Sequence, residues 1–116
     1  MTTDTVDKKE FRQLTLEDLV DKKLLRYRRS LIAGKLGFVV THLGKIQGFI
    51  LPIAQVAKLK FETTEETTFS LAAADERLFD LKVDCIYLKF RGRAIAAIVA
   101  PPIVFLQNFS ATSIFR

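Results

Sequence analysis

Two stretches decide how this chain reads: Phe38-Val39-Val40-Thr41-His42-Leu43-Gly44-Lys45, running on through Gly48-Phe49-Ile50-Leu51-Pro52-Ile53, and Cys85-Ile86-Tyr87-Leu88-Lys89-Phe90-Arg91-Gly92-Arg93, running on from Ala94 to Val99. In each, two β-rich apolar runs flank a short loop whose glycine sits where a tight turn needs positive φ. Both predict a β-hairpin. Pro52 ends the first, since an imino nitrogen cannot donate to a sheet ladder. From Gly44 to Gly92 is 48 positions, and at that offset Val40 meets Leu88, Lys45 meets Arg93, Ile50 meets Ile98 and Leu51 meets Val99. Either a duplication or chance likeness between two generic hairpins gives such a pattern. Under duplication the repeat units are 15–56 and 57–102.

Working outward, residues 1–14 form a charged lead-in, and Thr15 then offers a hydroxyl N-cap with Asp18 three positions on. Leu16, Leu19, Val20, Leu24, Tyr27 and Leu31 share one helical face, and Gly34 supplies a C-cap. The spacing predicts an amphipathic helix over 16–33. Between the hairpins, Leu59 and Phe61 alternate with polar residues as in a half-buried strand. The next segment has two alternatives. Thr68 or Ser70 caps a short helix through Leu71, Ala74, Leu78 and Leu81, or Thr67 to Ala73 is the return strand of a further hairpin; the alanines favour the helix. The fold class is therefore α+β, an N-terminal helix followed by antiparallel hairpins, with a helix plus a small β-barrel as the alternative.

The chain has 116 residues, 49% of them apolar and 27% charged, which suits one packed domain over 15–116. Ten phenylalanines and no tryptophan put the aromatic surface into groups fit for a core. A lone cysteine, Cys85, excludes an intrachain disulfide, and with a single histidine no zinc-binding spacing exists. A reducing, cytoplasmic setting is expected from this cysteine usage, and Met1-Thr2-Thr3-Asp4 opens no visible secretory or transit signal. Ala94 to Leu106 is wholly apolar, but Pro101-Pro102 interrupts it, and Gln107, Asn108, Ser110, Thr112 and Ser113 make the remaining residues more polar. That argues against a membrane partner.

Catalytic chemistry is not expected. His42 lies in a turn without a nucleophile beside it, Cys85 opens an apolar strand as a buried, inert thiol, and the five glycines are scattered singly, so no phosphate loop exists. No cofactor and no metal are implied.

Val39-Val40-Thr41-His42-Leu43-Gly44-Lys45 with Gly48-Phe49-Ile50-Leu51-Pro52-Ile53 resembles the hairpin of the Phd/YefM antitoxins: an apolar strand, Thr and a basic residue, Gly-Lys, then an apolar strand ending near proline. Ile86 to Val99 resembles the same element. The resemblance implies a cytoplasmic protein that dimerises through an α/β domain, binds operator DNA and neutralises a toxin through a C-terminal extension. Two such units in one chain would make a pseudo-dimer. The chain departs from the family at Leu14, where that family often has Asn, in the spacing between Phe11-Arg12-Gln13 and the first hairpin, and in its uncharged C-terminal stretch.

Charge is an independent pointer. The net charge is +5, and Lys22, Lys23, Arg26, Arg28 and Arg29 cluster on the first helix. Lys22, Arg26 and Arg29 follow i, i+4, i+7 spacing, which makes a stripe able to neutralise phosphates, with the hairpin tips at Lys45 and at Arg91 and Arg93 adding reach. The plain alternative is a solvated helix face. Glu62, Glu65, Glu66, Asp75 and Glu76 form an acidic counterpart that must face away from any polyanion.

Two functions from different classes are consistent with these features. The first is a non-catalytic, DNA-binding, antitoxin-like transcriptional regulator, homo-oligomeric, with duplex DNA and a toxin or other protein as partners. The second is a protein- or peptide-binding adaptor, or a small structural subunit of a larger assembly, that captures its partner through Phe105 and Phe109 in the apolar C-terminal stretch.

Overall fold

A computed structural model describes residues 11–20, 23–34 and 36–106, leaving aside the side chains of Lys23, Glu66, Phe105 and Leu106. Six strands form one open mixed sheet in the order β1-β2-β3-β6-β5-β4. They are β1 Phe11–Thr15, β2 Gly37–His42, β3 Lys45–Pro52, β4 Thr64–Ser70, β5 Cys85–Phe90 and β6 Arg93–Val99. The sheet has two free edges, β1 and β4, so the small-barrel alternative is excluded. The class is α+β.

β2 pairs antiparallel with β3, and β5 with β6. The two ladders match position for position at the 48-residue offset. Phe38 faces Ile50 as Ile86 faces Ile98, and Val40 faces Gly48 as Leu88 faces Ala96. His42 faces Lys45 as Phe90 faces Arg93, and a bulge follows Val40 just as one follows Leu88. Between the halves β3 pairs antiparallel with β6 through Phe49–Val99, Ile50–Ile98 and Leu51–Ala97. The offset carries Ile50–Ile98 onto itself and exchanges the other two pairs, so a local two-fold axis passes through that central pair. Each half also opens with a strand lying parallel to the first strand of its hairpin: Leu14 faces Val40, and Phe69 faces Leu88.

Both hairpin turns hold two consecutive residues at positive φ, Leu43 at 51° with Gly44 at 80° and Arg91 at 53° with Gly92 at 80°. This is the two-residue turn whose twist matches the flanking strands and whose favoured first residue is asparagine. Leu43 is 87% exposed, so its side chain gains nothing from packing to offset the strained backbone. Leu43→Asn should therefore raise stability, by about 0.5–1 kcal/mol on the usual scale of relieved local strain. Thermal unfolding checks this: an unchanged or lower midpoint would contradict it.

The lead-in ends earlier than the sequence suggests, because 11–14 belong to edge strand β1. Nor is 16–33 one helix. It divides into α1 Leu16–Val20, a 3-10 turn Lys23–Tyr27 and α2 Arg28–Ala33. Leu19 and Leu24 are both fully buried, yet five residues in a straight helix place them about 140° apart, so the backbone must break to bury both. Val20, assigned by periodicity to the core face, is 57% exposed. Asp18 accepts a hydrogen bond from the Thr15 N–H at 3.0 Å, and Gly34 closes α2 in the left-handed conformation.

The middle of the chain also differs from expectation. Ile53–Val56 is a short helix, α3, whose turns continue to Leu59 through Ala57 N–H to Ile53 O and Leu59 N–H to Val56 O, so Leu59 and Phe61 do not alternate along a strand. Thr64–Ser70 is the strand instead, and it lies parallel to β5 and not in a hairpin. Asp84 fixes its start by accepting from the Glu62 and Thr63 N–H groups, while the Thr63 hydroxyl accepts from the Asp84 N–H. The expected helix near 70–82 is two 3-10 turns, Leu71–Ala73 and Glu76–Asp80, capped by Ser70 and Asp75. Pro101-Pro102 opens a last helix, α4 Pro101–Leu106, where the missing N–H groups cost nothing.

Strand alternation splits the core in two. On one face Phe38, Val40, Ile50, Ile86, Leu88, Ala96 and Ile98 pack beneath Leu19, Leu24, Leu31, Leu71 and Leu78 from α1, α2 and the 3-10 turns. On the other, Phe49, Leu51, Cys85, Ala97 and Val99 pack against Val56, Leu59 and Val104 from α3, the turns after it and α4. Helical segments thus cover both faces of the central strands.

Candidate functional site

The central antiparallel pairing sends the two hairpin tips to opposite ends of the sheet. Lys45 and Arg93 each lie five residues from the two-fold pair, so along the strands they stand roughly 33 Å apart. Lys45 is exposed at its own tip and takes no part in the other. Beside Lys45, the His42 Nδ1 lies 3.2 Å from Glu17 Oε2 without hydrogen-bond alignment, which places an acid at that end.

The second tip is different. α2 of the first half leans over it, so that the Arg28 guanidinium sits 5.9 Å and the Arg91 guanidinium 5.1 Å from the centre of the Phe90 ring. Arg28 also donates to the Leu25 carbonyl at 3.1 Å, which ties its side chain back to the 3-10 turn. Arg26, Arg29, Arg91 and Arg93 are all exposed. Part of the first basic cluster and the second hairpin tip therefore meet. Arg28 and Phe90 make the junction, and no sequence spacing joins them. The 3-10 turn advances about 120° per residue where an α-helix advances 100°, so the i, i+4, i+7 stripe does not persist as a straight line. Lys22 lies outside the described residues, as does Phe109. Phe105 falls within α4, but its side chain is not described.

Under α2 and beside this tip runs a groove of about 320 Å³, lined by Ile32, Ile53, Phe90, Arg91, Arg93, Ala94 and Ile95. No acidic residue is among those that line it. Glu65 pairs with Ile86 near the start of that strand, whereas Phe90 and Arg93 close its other end. Arg77 is engaged by Asp75 through a 2.7 Å contact, which raises its pKa through hydrogen bond and charge together. Among the described residues no group of three or more His, Cys, Asp or Glu could hold a metal ion, and no helix is long and apolar enough to cross a membrane.

Cys85 is fully buried, and burial pushes its thiol up to about 11 from 9.0. The thiolate is thus disfavoured in the fold. A pKa raised by folding contributes stability that is complete below pH 9 and is lost as pH climbs toward 11. Cys85→Ala should remove this component of the alkaline loss, and native protein at pH 8 should react with a thiol reagent only as fast as it opens. Rapid stoichiometric labelling of the native protein would contradict the burial.

Comparison with protein-family models, with curated proteins and with solved structures returned no match.

Proposed function

We propose that this protein is a non-catalytic, DNA-binding regulator, built as a pseudo-dimer of two Phd/YefM-like units within one polypeptide. The observation that carries the reading is the meeting of Arg28 on the first half with Phe90 and Arg91 on the second, with Arg26, Arg29 and Arg93 exposed around them. Four exposed guanidiniums, together with the half-buried Arg28 that lies over the Phe90 ring as Arg91 does, suit phosphate oxygens, because Arg presents a rigid fork of donors. The coincidence of register, bulge and turn at the 48-residue offset supports the duplicated-unit part of the reading. A toxin or second protein partner and self-association come from the family resemblance. Cytoplasmic residence is implied by the same resemblance and fits the lone cysteine, Cys85.

Binding on this basis is electrostatic, so affinity for duplex DNA must fall steeply with salt. Fluorescence anisotropy of a labelled duplex from the protein's own upstream region, titrated between about 50 and 200 mM salt, tests it. Arg26→Ala with Arg29→Ala should keep the fold and bind more weakly with a shallower slope. Negligible binding near physiological salt by folded wild-type protein would replace this reading with the adaptor.

A further inference from the structure

We propose that the groove beside the second hairpin tip is a binding site for a small amphipathic carboxylate, an anionic group on a short apolar body. Its volume of about 320 Å³ falls at the lower end of small-molecule sites. Ile32 and Ile53 on its walls are 56% and 37% exposed, a high value for large apolar side chains so close together. Apart from Arg91 and Arg93, the lining side chains are Ile, Phe and Ala, with no polar atom among them. A ligand with a polar body would lose its hydration there without replacement. An apolar body would not, and its carboxylate would meet guanidinium forks of matching planar geometry.

A second groove, which shares with the first only the related positions Gln47 and Pro101 and includes none of the first tip's residues, has a different character. It measures about 250 Å³ and carries Lys82 together with Asp84, so its charges cancel. Asp84 is moreover taken up by the Glu62 and Thr63 N–H groups. There the Phe79 ring packs onto Gly48, with a ring carbon 2.8 Å from where a Cβ would stand; the position related to Gly48 by the register is Ala96. Of the two grooves, the first is lined by two guanidiniums and apolar groups with no acidic residue among the lining. The site shares two guanidiniums with the proposed DNA surface, but its test needs no nucleic acid and stands whether or not DNA binds.

Titration of the full ¹⁵N-labelled chain with octanoate, and separately with octanol, acetate and inorganic phosphate, reads occupancy by NMR. Octanoate should give saturable shifts confined to residues near Ile32, Ile53 and 90–95. It should bind at least about tenfold more tightly than either octanol or acetate, since both anchor and body contribute. Arg93→Ala, and independently Arg91→Asn, which keeps a residue suited to positive φ, should each weaken octanoate by about tenfold if a charge-assisted contact is lost. Dispersed or non-saturating shifts, equal binding of octanol, or phosphate matching octanoate would each overturn the proposal.

Discussion

Phe38→Ala is expected to destabilise the protein by about 3–5 kcal/mol, the usual cost of removing a fully buried phenylalanine. Phe38 is 0% exposed, stands opposite Ile50 in the ladder, and lies with its ring centre 4.9 Å from that of Tyr27. Tyr27 in turn receives the Arg12 guanidinium at 5.6 Å, so the ring ties edge strand β1 and the 3-10 turn to the middle of the sheet. A loss of that size is a large share of the roughly 5–15 kcal/mol that hold a domain of this kind together. Urea unfolding should show a much lower midpoint with the slope unchanged. Phe61→Ala, at a half-buried ring on the other face, should cost clearly less. A Phe38→Ala loss below about 1 kcal/mol would mean that the position is not core.

The second large effect concerns the basic end. Arg91→Asn combined with Arg93→Ala should leave the fold intact, since both side chains are exposed and Asn accepts the left-handed turn position. Duplex affinity should nonetheless fall by about tenfold or more, and the slope of log K against log salt should become shallower by about two, one for each phosphate contact removed. Lys45→Ala serves as the comparison. It removes a single charge, from the opposite tip roughly 33 Å away along the strands, and should leave affinity nearly unchanged at physiological salt, where charges so far apart are screened from each other. A loss from Lys45→Ala of half that of the double variant or more would mean that DNA lies along the whole molecule and not at one end.

The elements legible in the sequence are those fixed by local interactions. The turns at Gly44 and Gly92 are legible because a positive φ selects glycine within a few residues of the strands it joins. Strands β1 and β4 are not, because each lies parallel to a partner reached only after a crossover, and Phe11-Arg12-Gln13 or Thr64 to Thr68 carries no clear alternation. Helical periodicity misled over 16–33, where the need to bury both Leu19 and Leu24 outweighs the continuity that Leu16, Val20 and Tyr27 suggest. It misled again near 70–82. There Leu71, Ala74 and Leu78 are buried at helical spacing, but by separate 3-10 turns.

The candidate site was half legible. Arg26, Arg29, Arg91 and Arg93 stand out by charge alone, but nothing local joins the two pairs. Arg28 and Phe90 meet only because the two halves pair through β3 and β6, which swings one hairpin tip under the helix of the other half. By the same geometry Lys45 goes to the far end beside His42 and Glu17, although its place in the motif equals that of Arg93. Ile32 could have been noticed as an isoleucine off the buried face of its helix. Ile53 gave no such signal, since it directly follows the proline that ends β3.

Engagement of DNA by the end built from α2 and the second hairpin tip is tested most directly by NMR mapping of the full ¹⁵N-labelled chain with a duplex at low and physiological salt. Salt-sensitive shifts are expected at residues 26–29 and 90–93, with the tip at Leu43 to Lys45 unmoved. Shifts centred on Lys45, or none at either tip while the protein remains folded, would contradict DNA binding at that end.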